Sequence, residues 1–327
     1  MTTPARRKLA LEEHFITESF LPYLADTYQN INPDLAGRAV PRLLDLGEAR
    51  LAAMDAAGLD YAVLSIAGPG VQVEPDAARA TRLAAEVNDT LADAIGRHPT
   101  RFGGFAHLPM QDPAAAAAEL TRAVTQLGMQ GAMINGQSNG VYLDAPQYKG
   151  FWAQAASLNA PIYLHPGNPP AMPSTYAGHP ALYGPFWGWA VETATHALRL
   201  VLAGVFDRHP GARLILGHMG ETLPFLLWRF DSRLPVSHAL SHPLVHPPSD
   251  YIRRNIALTT SGVCDNAALR CAIDAMGLSA VMFSVDHPFE DMVTACRWID
   301  EAPLTPEERT AITHKNAEAL LTNYPRS

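Results

Sequence analysis

Eight short apolar runs recur along the chain, and each is followed by a stretch with helical spacing. They read "KLALEEHF", "YAVLSIAG", "RFGGFAHL", "QGAMING", "PIYLHPG", "RLILGHMG", "IALTTSG" and "VMFSVDHPF". Intervening segments such as "PDAARATRLAAEVNDTLADAIGRHP" and "DPAAAAAELTRAVTQLG" carry caps at their starts and Gly or Pro stops at their ends. Parallel strands buried on both faces read as near-continuous apolar runs, so the alternation predicts an α/β fold. Eight βα units favour a closed barrel over an open doubly wound sheet. No Gly-rich nucleotide fingerprint follows the first run, which also argues against the open sheet. The expected fold is a distorted (β/α)8 TIM barrel with extended loops at its C-terminal face, built as one domain over residues 1–327. Two irregular stretches, residues 16–46 and 168–187, follow the first and fifth runs and are expected to wall or cover a pocket.

Composition narrows the function. A formal charge of −8, with 32 acidic against 24 Lys and Arg residues, leaves no basic stripe for nucleic acid. The N-terminal "MTTPARRKLALEEHF" lacks an apolar run of signal-peptide length, and no segment offers about 18 uninterrupted apolar residues for a membrane span. Cys264, Cys271 and Cys296 form neither a CxxC pair nor an even framework, so buried free thiols and a cytoplasmic setting are expected.

The first run contains an oddity for a buried strand: Glu12, Glu13 and His14 in succession. Alternate strand residues share a face, so Glu12 and His14 point one way and Glu13 the other. A buried pair of this kind needs a salt bridge or a metal ion to offset its desolvation. The fifth run ends in His165, the sixth in His218 and the eighth in Asp286. Barrel strand ends converge on one axial site, so these groups should meet. Glu12, His14, His165 and Asp286 form the expected ligand set, an N2O2 combination suited to one zinc or manganese ion and too nitrogen-rich for calcium.

His218 and Glu221, three residues apart in "LGHMGETLPFLLWRFD", should form a hydrogen-bonded pair beside the metal, although Glu221 would also suit the first turn of a helix. Arg229, two turns on, could grip a substrate carboxylate or pair with Asp231. Phe186, Trp187 and Trp189 in the fifth loop could form an aromatic wall, with Asn168 as a further substrate contact. His98 and His209 read as helix ends before Pro, and His238, His242 and His246 as a surface cluster. His179 and His196 are candidates for the pocket.

Taken together, "ALEEHF", "YLHPGNP", "LGHMGETLPFLLWRFD" and "FSVDHPFE" resemble the decarboxylase branch of the amidohydrolase superfamily, specifically the γ-resorcylate (2,6-dihydroxybenzoate) decarboxylases. The similarity extends through "VYLDAPQYKGFW", "ETATHALRL" and "FDRHP". The resemblance implies metal ligation by Glu12, His14, His165 and Asp286, with His218, Glu221 and Arg229 beside them. It also implies one divalent ion, no organic cofactor, a small aromatic hydroxy-acid substrate and a homo-oligomer, tetramer or dimer. Asp286 would protonate the ring carbon that carries the carboxylate. Two departures stand out: relatives often have Arg at the position of Gly167 and commonly Trp at that of His287. A metal-dependent lactone or amide hydrolase on the same barrel is the main alternative, and a non-catalytic small-molecule binder the second.

Overall fold

The computed structural model describes residues 7–28, 33–237 and 242–324. All eight apolar runs form strands, and all strand pairs are parallel: β1 (Leu9–Phe15), β2 (Tyr61–Ile66), β3 (Phe102–Gly104), β4 (Ala106–His107), β5 (Ala132–Asn135), β6 (Ile162–His165), β7 (Leu214–Leu216), β8 (Ile256–Thr259) and β9 (Val281–Met282). The third run is interrupted at Phe105 and yields two strands. The ladder therefore falls into a three-stranded sheet, β1-β2-β3, and a six-stranded sheet, β4 to β9, instead of one closed cylinder. Backbone hydrogen bonds cross both seams: Phe105 N–H donates to Leu64 O at 2.9 Å, Asp286 N–H to Glu12 O at 3.0 Å, and His14 N–H to His287 O at 2.7 Å. The architecture is a distorted α/β TIM barrel.

Side-chain alternation divides the core in two. Leu9, Leu11, Tyr61, Val63, Met133, Tyr163, Ile215 and Met282 fill the barrel interior. Ala10, Ala62, Leu64, Ile134, Leu164 and Leu214 belong to a second cluster that joins the strands to the surrounding helices. The helices begin where side chains can serve their first N–H groups. Asp76 accepts from Arg79 N at 3.0 Å before the helix Ala77–Arg97. Asp112 accepts from Ala114 and Ala115 N before Pro113–Thr125.

The two long loops are more ordered than expected. The first carries the helices Leu21–Tyr28 and Pro33–Leu43; the second is a chain of short 3-10 turns, Ser174–Tyr176, Pro180–Leu182 and Gly184–Phe186. Both overhang the C-terminal ends of the strands. Of the three cysteines, only Cys296 is buried; Cys264 is exposed and Cys271 half-buried, contrary to expectation, and all are free. No helix among the described residues is long and apolar enough to cross a membrane.

Candidate active site

Strand β1 does not alternate without interruption. Leu9 and Leu11 face the barrel interior, so strict period two would send Glu13 there next. A register shift against β2 between Ala10 and Glu13 resets the phase, and Glu12 and His14 face the axis. The N–H groups of Leu11 and Glu12 both donate to Ser284 Oγ, at 3.1 and 2.6 Å. Glu13 turns sideways and accepts from Val285 N at 3.0 Å and Ser284 Oγ at 3.3 Å. Its burial pushes its carboxyl up to about 8. Buried Arg50 braces the end of the strand, with Nη2 donating to His14 O at 2.6 Å. Glu13 is thus a fastening of the barrel seam.

Glu12, His14, His165 and Asp286 each offer one donor atom, and these atoms all lie within 4.8 Å of one another. His14 Nε2 is 3.2 Å from Asp286 Oδ1 and 3.8 Å from Glu12 Oε1, while His165 Nε2 is 3.4 Å from Glu12 Oε1. Three of the four donors have their other atom already engaged. Tyr163 OH donates to Glu12 Oε2, His165 Nδ1 donates to Pro166 O at 2.9 Å, and His14 Nδ1 faces Ser65 Oγ at 3.3 Å. Glu12 Oε1, His14 Nε2 and Asp286 Oδ1 are buried without hydrogen-bond partners. Buried polar atoms lacking partners are costly, and a cation shared among them removes that cost. The donor set fits one divalent metal ion.

Protonation follows the same logic. Burial works against charge on His14, but the carboxylates of Asp286 and Glu12 outweigh it and raise the imidazole to about 9. Burial, reinforced by the charge on His14, lowers His165 to about 4, so its ring stays neutral and Nε2 keeps its lone pair for a metal.

His218 and Glu221 stand beside this cluster on an unusual backbone. Residues 218–222 have φ of 50, 56, 78, 53 and 67°, a complete left-handed turn in which only Gly220 is free of Cβ strain. Glycine is needed there on a second count, since a Cβ at position 220 would lie 2.7 Å from Leu258 Cδ2. The turn folds Glu221 back under the imidazole, and His218 Nδ1 donates to Glu221 Oε1 at 2.8 Å. His218 Nε2 faces Asp286 Oδ2 at 3.6 Å. Burial disfavours charge on His218, yet Glu221, Glu12 and Asp286 together hold it well above the ordinary imidazole value. Asp286 has its own positive φ, 82°. The regular helix starts only at Leu223, so Glu221 does not serve its first turn.

A cavity of about 750 Å³ opens above these groups, lined by His165, His218, Glu221 and Asp286 on its polar side and by Tyr23, Val263, Trp189 and Phe289 elsewhere. Asn168 lines it as expected, with Oδ1 accepting from Trp189 Nε1 at 2.7 Å. Three expected substrate contacts are absent from the lining. Phe186 and Trp187 are 74% and 47% exposed, because the 3-10 turn Gly184–Phe186 directs them outward while Trp189 takes the inner position. Arg229 lies on an exposed part of the helix Leu223–Arg233, and its alternative partner Asp231 accepts from Ser249 N and Oγ instead. Neither His179, which is exposed, nor His196, buried against Leu143 N, lines the cavity. His242 pairs with Asp207 and His246 packs on Tyr251, while His238 lies outside the described residues. Gly167 lines the cavity and His287 does not. Two residues outside the expected set also stand here: Tyr163, bonded to Glu12, and Asn135, which lines the cavity. Tyr163 was within reach of the pattern, being two residues before His165 in one strand and therefore on its face.

A parallel barrel with buried donors at four strand ends and a paired imidazole beside them defines a class, and the chain belongs to the amidohydrolase family, whose sequence profile matches residues 14–322. Within that family its likeness is to decarboxylases. It is 42% identical over 328 residues to the gamma-resorcylate decarboxylase of Rhodococcus jostii (strain RHA1), covering 96% of this chain and 98% of that one. A crystal structure of 2,6-dihydroxybenzoate decarboxylase complexed with 2,6-dihydroxybenzoate superposes with a TM-score of 0.90 at 41% identity, covering 96% and 99% of the two chains. A dihydroxybenzoic acid decarboxylase from Polaromonas sp. JS666, solved with bound manganese and the inhibitor 2-nitroresorcinol, gives the same TM-score and identity with 96% of each chain covered.

Proposed function

We propose that this protein is a metal-dependent decarboxylase of an ortho-hydroxybenzoate, with 2,6-dihydroxybenzoate as the reference substrate. The observation that carries the reading is the set of four facing donors beneath a cavity of about 750 Å³, into which two of them, His165 and Asp286, open, with the second oxygen of Asp286 facing the His218 imidazole. Identity of 42% to gamma-resorcylate decarboxylases over 96% of the chain supports this over lactone or amide hydrolysis.

Glu12, His14, His165 and Asp286 would hold the ion. When bound, it supplies Lewis-acid charge for anionic substrate oxygens. The remaining work belongs to side chains. Asp286, through Oδ2, carries a proton to the ring carbon that bears the carboxylate. The bond from that carbon to the carboxylate then breaks, its electron pair returns to the ring, and CO2 leaves with aromaticity restored. The ring gains one proton for each CO2 lost, so no redox cofactor is needed, and the reverse reaction carboxylates a phenol. His218 donates from both nitrogens, to Glu221 and towards Asp286, and so can resupply the proton. Phe289 and Val263 offer an apolar surface for the ring and exclude water.

Cytoplasmic location is part of the same reading, supported by the three free cysteines. So is a homo-oligomer, tetramer or dimer. Phe225 and Trp228, 81% and 77% exposed and one turn apart on the helix Leu223–Arg233, are apolar area of the kind protein contacts cover.

The test pairs metal analysis with CO2 release from 2,6-dihydroxybenzoate. About one divalent ion per chain is expected from the one donor set found among the described residues, with CO2 released on turnover. Metal without CO2 from any ortho-hydroxybenzoate, together with hydrolysis of a lactone, would overturn the reading.

A further inference from the structure

The cavity wall beside His165 carries four amide side chains: Asn135, Gln137, Asn139 and Asn168. Three have fixed employment. Asn168 Oδ1 accepts from Trp189, Gln137 donates to Asn168 O and accepts from Gly140 N, and Asn139 donates to Glu74 O. Asn135 is different. It is 2% exposed, and neither its Oδ1 nor its Nδ2 has a hydrogen-bond partner. A buried amide left unpaired at both ends destabilises the fold, because its lost hydrogen bonds to water are not replaced.

Its position gives a reason for tolerating that cost. Asn135 ends β5 as His165 ends β6, and the two are direct partners in the parallel register. His218 follows β7, the strand on the other side of β6. Asn135 and His218 therefore flank His165 from opposite sides at the top of three consecutive strands. A benzoate with hydroxyls at both ortho positions has matching symmetry, one oxygen on each side of its carboxylate. An amide is suited to the flank away from His218, because it can donate to that oxygen and accept from its hydrogen while carrying no charge.

We infer that Asn135 is a specificity-determining residue that recognises the second ortho-hydroxyl of the substrate, on the side of the site opposite His218. This rests on the decarboxylase reading for the identity of the ligand. It adds that the second hydroxyl is read by the protein and not merely accommodated.

The experiment compares wild type with Asn135→Leu, a near-isosteric change that removes both polar atoms, on 2,6-dihydroxybenzoate and on salicylate, which lacks the second hydroxyl. In the variant, kcat/KM for 2,6-dihydroxybenzoate should fall about tenfold to a hundredfold, while that for salicylate stays within about twofold. Metal content should be unchanged. Thermal stability of the ligand-free variant should hold or rise, since an unpaired amide has been removed; a structural amide would give a clear drop in Tm. Equal losses on both acids, or no loss on either, would overturn the inference. Asn135→Ser, smaller and still polar, provides the same comparison if the Leu variant does not fold. Calorimetric binding of both acids separates this idea from the one beneath it. Wild-type binding without CO2 release would sink the decarboxylase reading, and Asn135→Leu would then still have to weaken 2,6-dihydroxybenzoate selectively. Binding of neither acid by wild type would overturn both.

Discussion

Strand β1 and the turn at residues 218–222 deliver side chains to the same small volume by opposite means. In β1 the irregularity is a single bulge whose displaced backbone is held by hydrogen bonds: Ser284 takes two N–H groups, Val285 and Ser284 serve Glu13 Oε1, and Arg50 takes the carbonyl of His14. In the turn the irregularity is conformational, with His218, Met219, Glu221 and Thr222 all held at positive φ. Each such residue costs roughly 1–2 kcal/mol in backbone sterics. The strand supplies metal donors and its geometry is enforced by hydrogen bonds. The turn supplies the hydrogen-bonded His218–Glu221 pair, and Leu258 packs closely against it at Gly220. Rigid placement is thus available from either source, but only the strained source can be relaxed by mutation without losing a contact.

The largest expected effect is at the strand. His14→Ala or Glu12→Gln should strip the ion, measured by elemental analysis, and lower turnover roughly 1000-fold or more, as loss of several kcal/mol of Lewis-acid stabilisation implies. Unchanged metal stoichiometry in His14→Ala would remove β1 from the ligand set and dissolve the contrast. Glu221→Gln should behave differently. It keeps the shape of the pair but removes the charge that holds His218 protonated, so kcat should drop about 100-fold with full metal occupancy. Loss of metal in that variant would make the turn a ligand-holding element after all.

A middle-sized effect sharpens the account of the strand. Ser284→Ala leaves the N–H groups of Leu11 and Glu12 without their acceptor in a buried seam, which should cost about 2–3 kcal/mol of stability in a urea titration. A loss below about 0.5 kcal/mol would mean that a water molecule fills the space and that the bulge is not held by Ser284.

How much of this was readable from the residues differs between the two regions for the same reason. Glu12 and His14 announce themselves because charge on alternate positions of an apolar run is expensive, and the eight runs together specify the barrel that makes His165 and Asp286 converge with them. The bulge was hidden: Leu9, Leu11, Glu12 and His14 share the barrel's inner side only after a shift in phase that no spacing rule contains. The left-handed turn was hidden more deeply, since Met and Thr are ordinary residues and only Gly220 marks the place. Spacing and the family resemblance suggest Arg229, and residue type suggests Phe186 and Trp187, whereas exposure depends on which way a 3-10 turn or helix face points. Asn135 was passed over for the converse reason. An amide at the end of "GAMIN" looks like a strand terminator, and its significance lies in the absence of partners, a property of the folded chain.

The smallest effect is the most direct test of strain. Thr222 has φ 67° and is exposed, so replacing it removes little packing, and a β-branched residue is an outlier in that region. Thr222→Gly should relieve about 1–2 kcal/mol of backbone strain against an entropic loss in the unfolded chain of about 0.5–1 kcal/mol, leaving a net gain of about 0.5 kcal/mol. The same change at Thr90, exposed within the right-handed helix Ala77–Arg97, should lose a few tenths of a kcal/mol, because glycine there brings the entropic penalty and gives up only an exposed bond from Thr90 Oγ1 to Glu86 O. Opposite signs for one substitution at two exposed threonines would isolate the left-handed backbone as the cause. Equal signs would mean that neighbouring contacts already compensate the turn, and that its geometry, like that of β1, rests on bonds instead of stored strain.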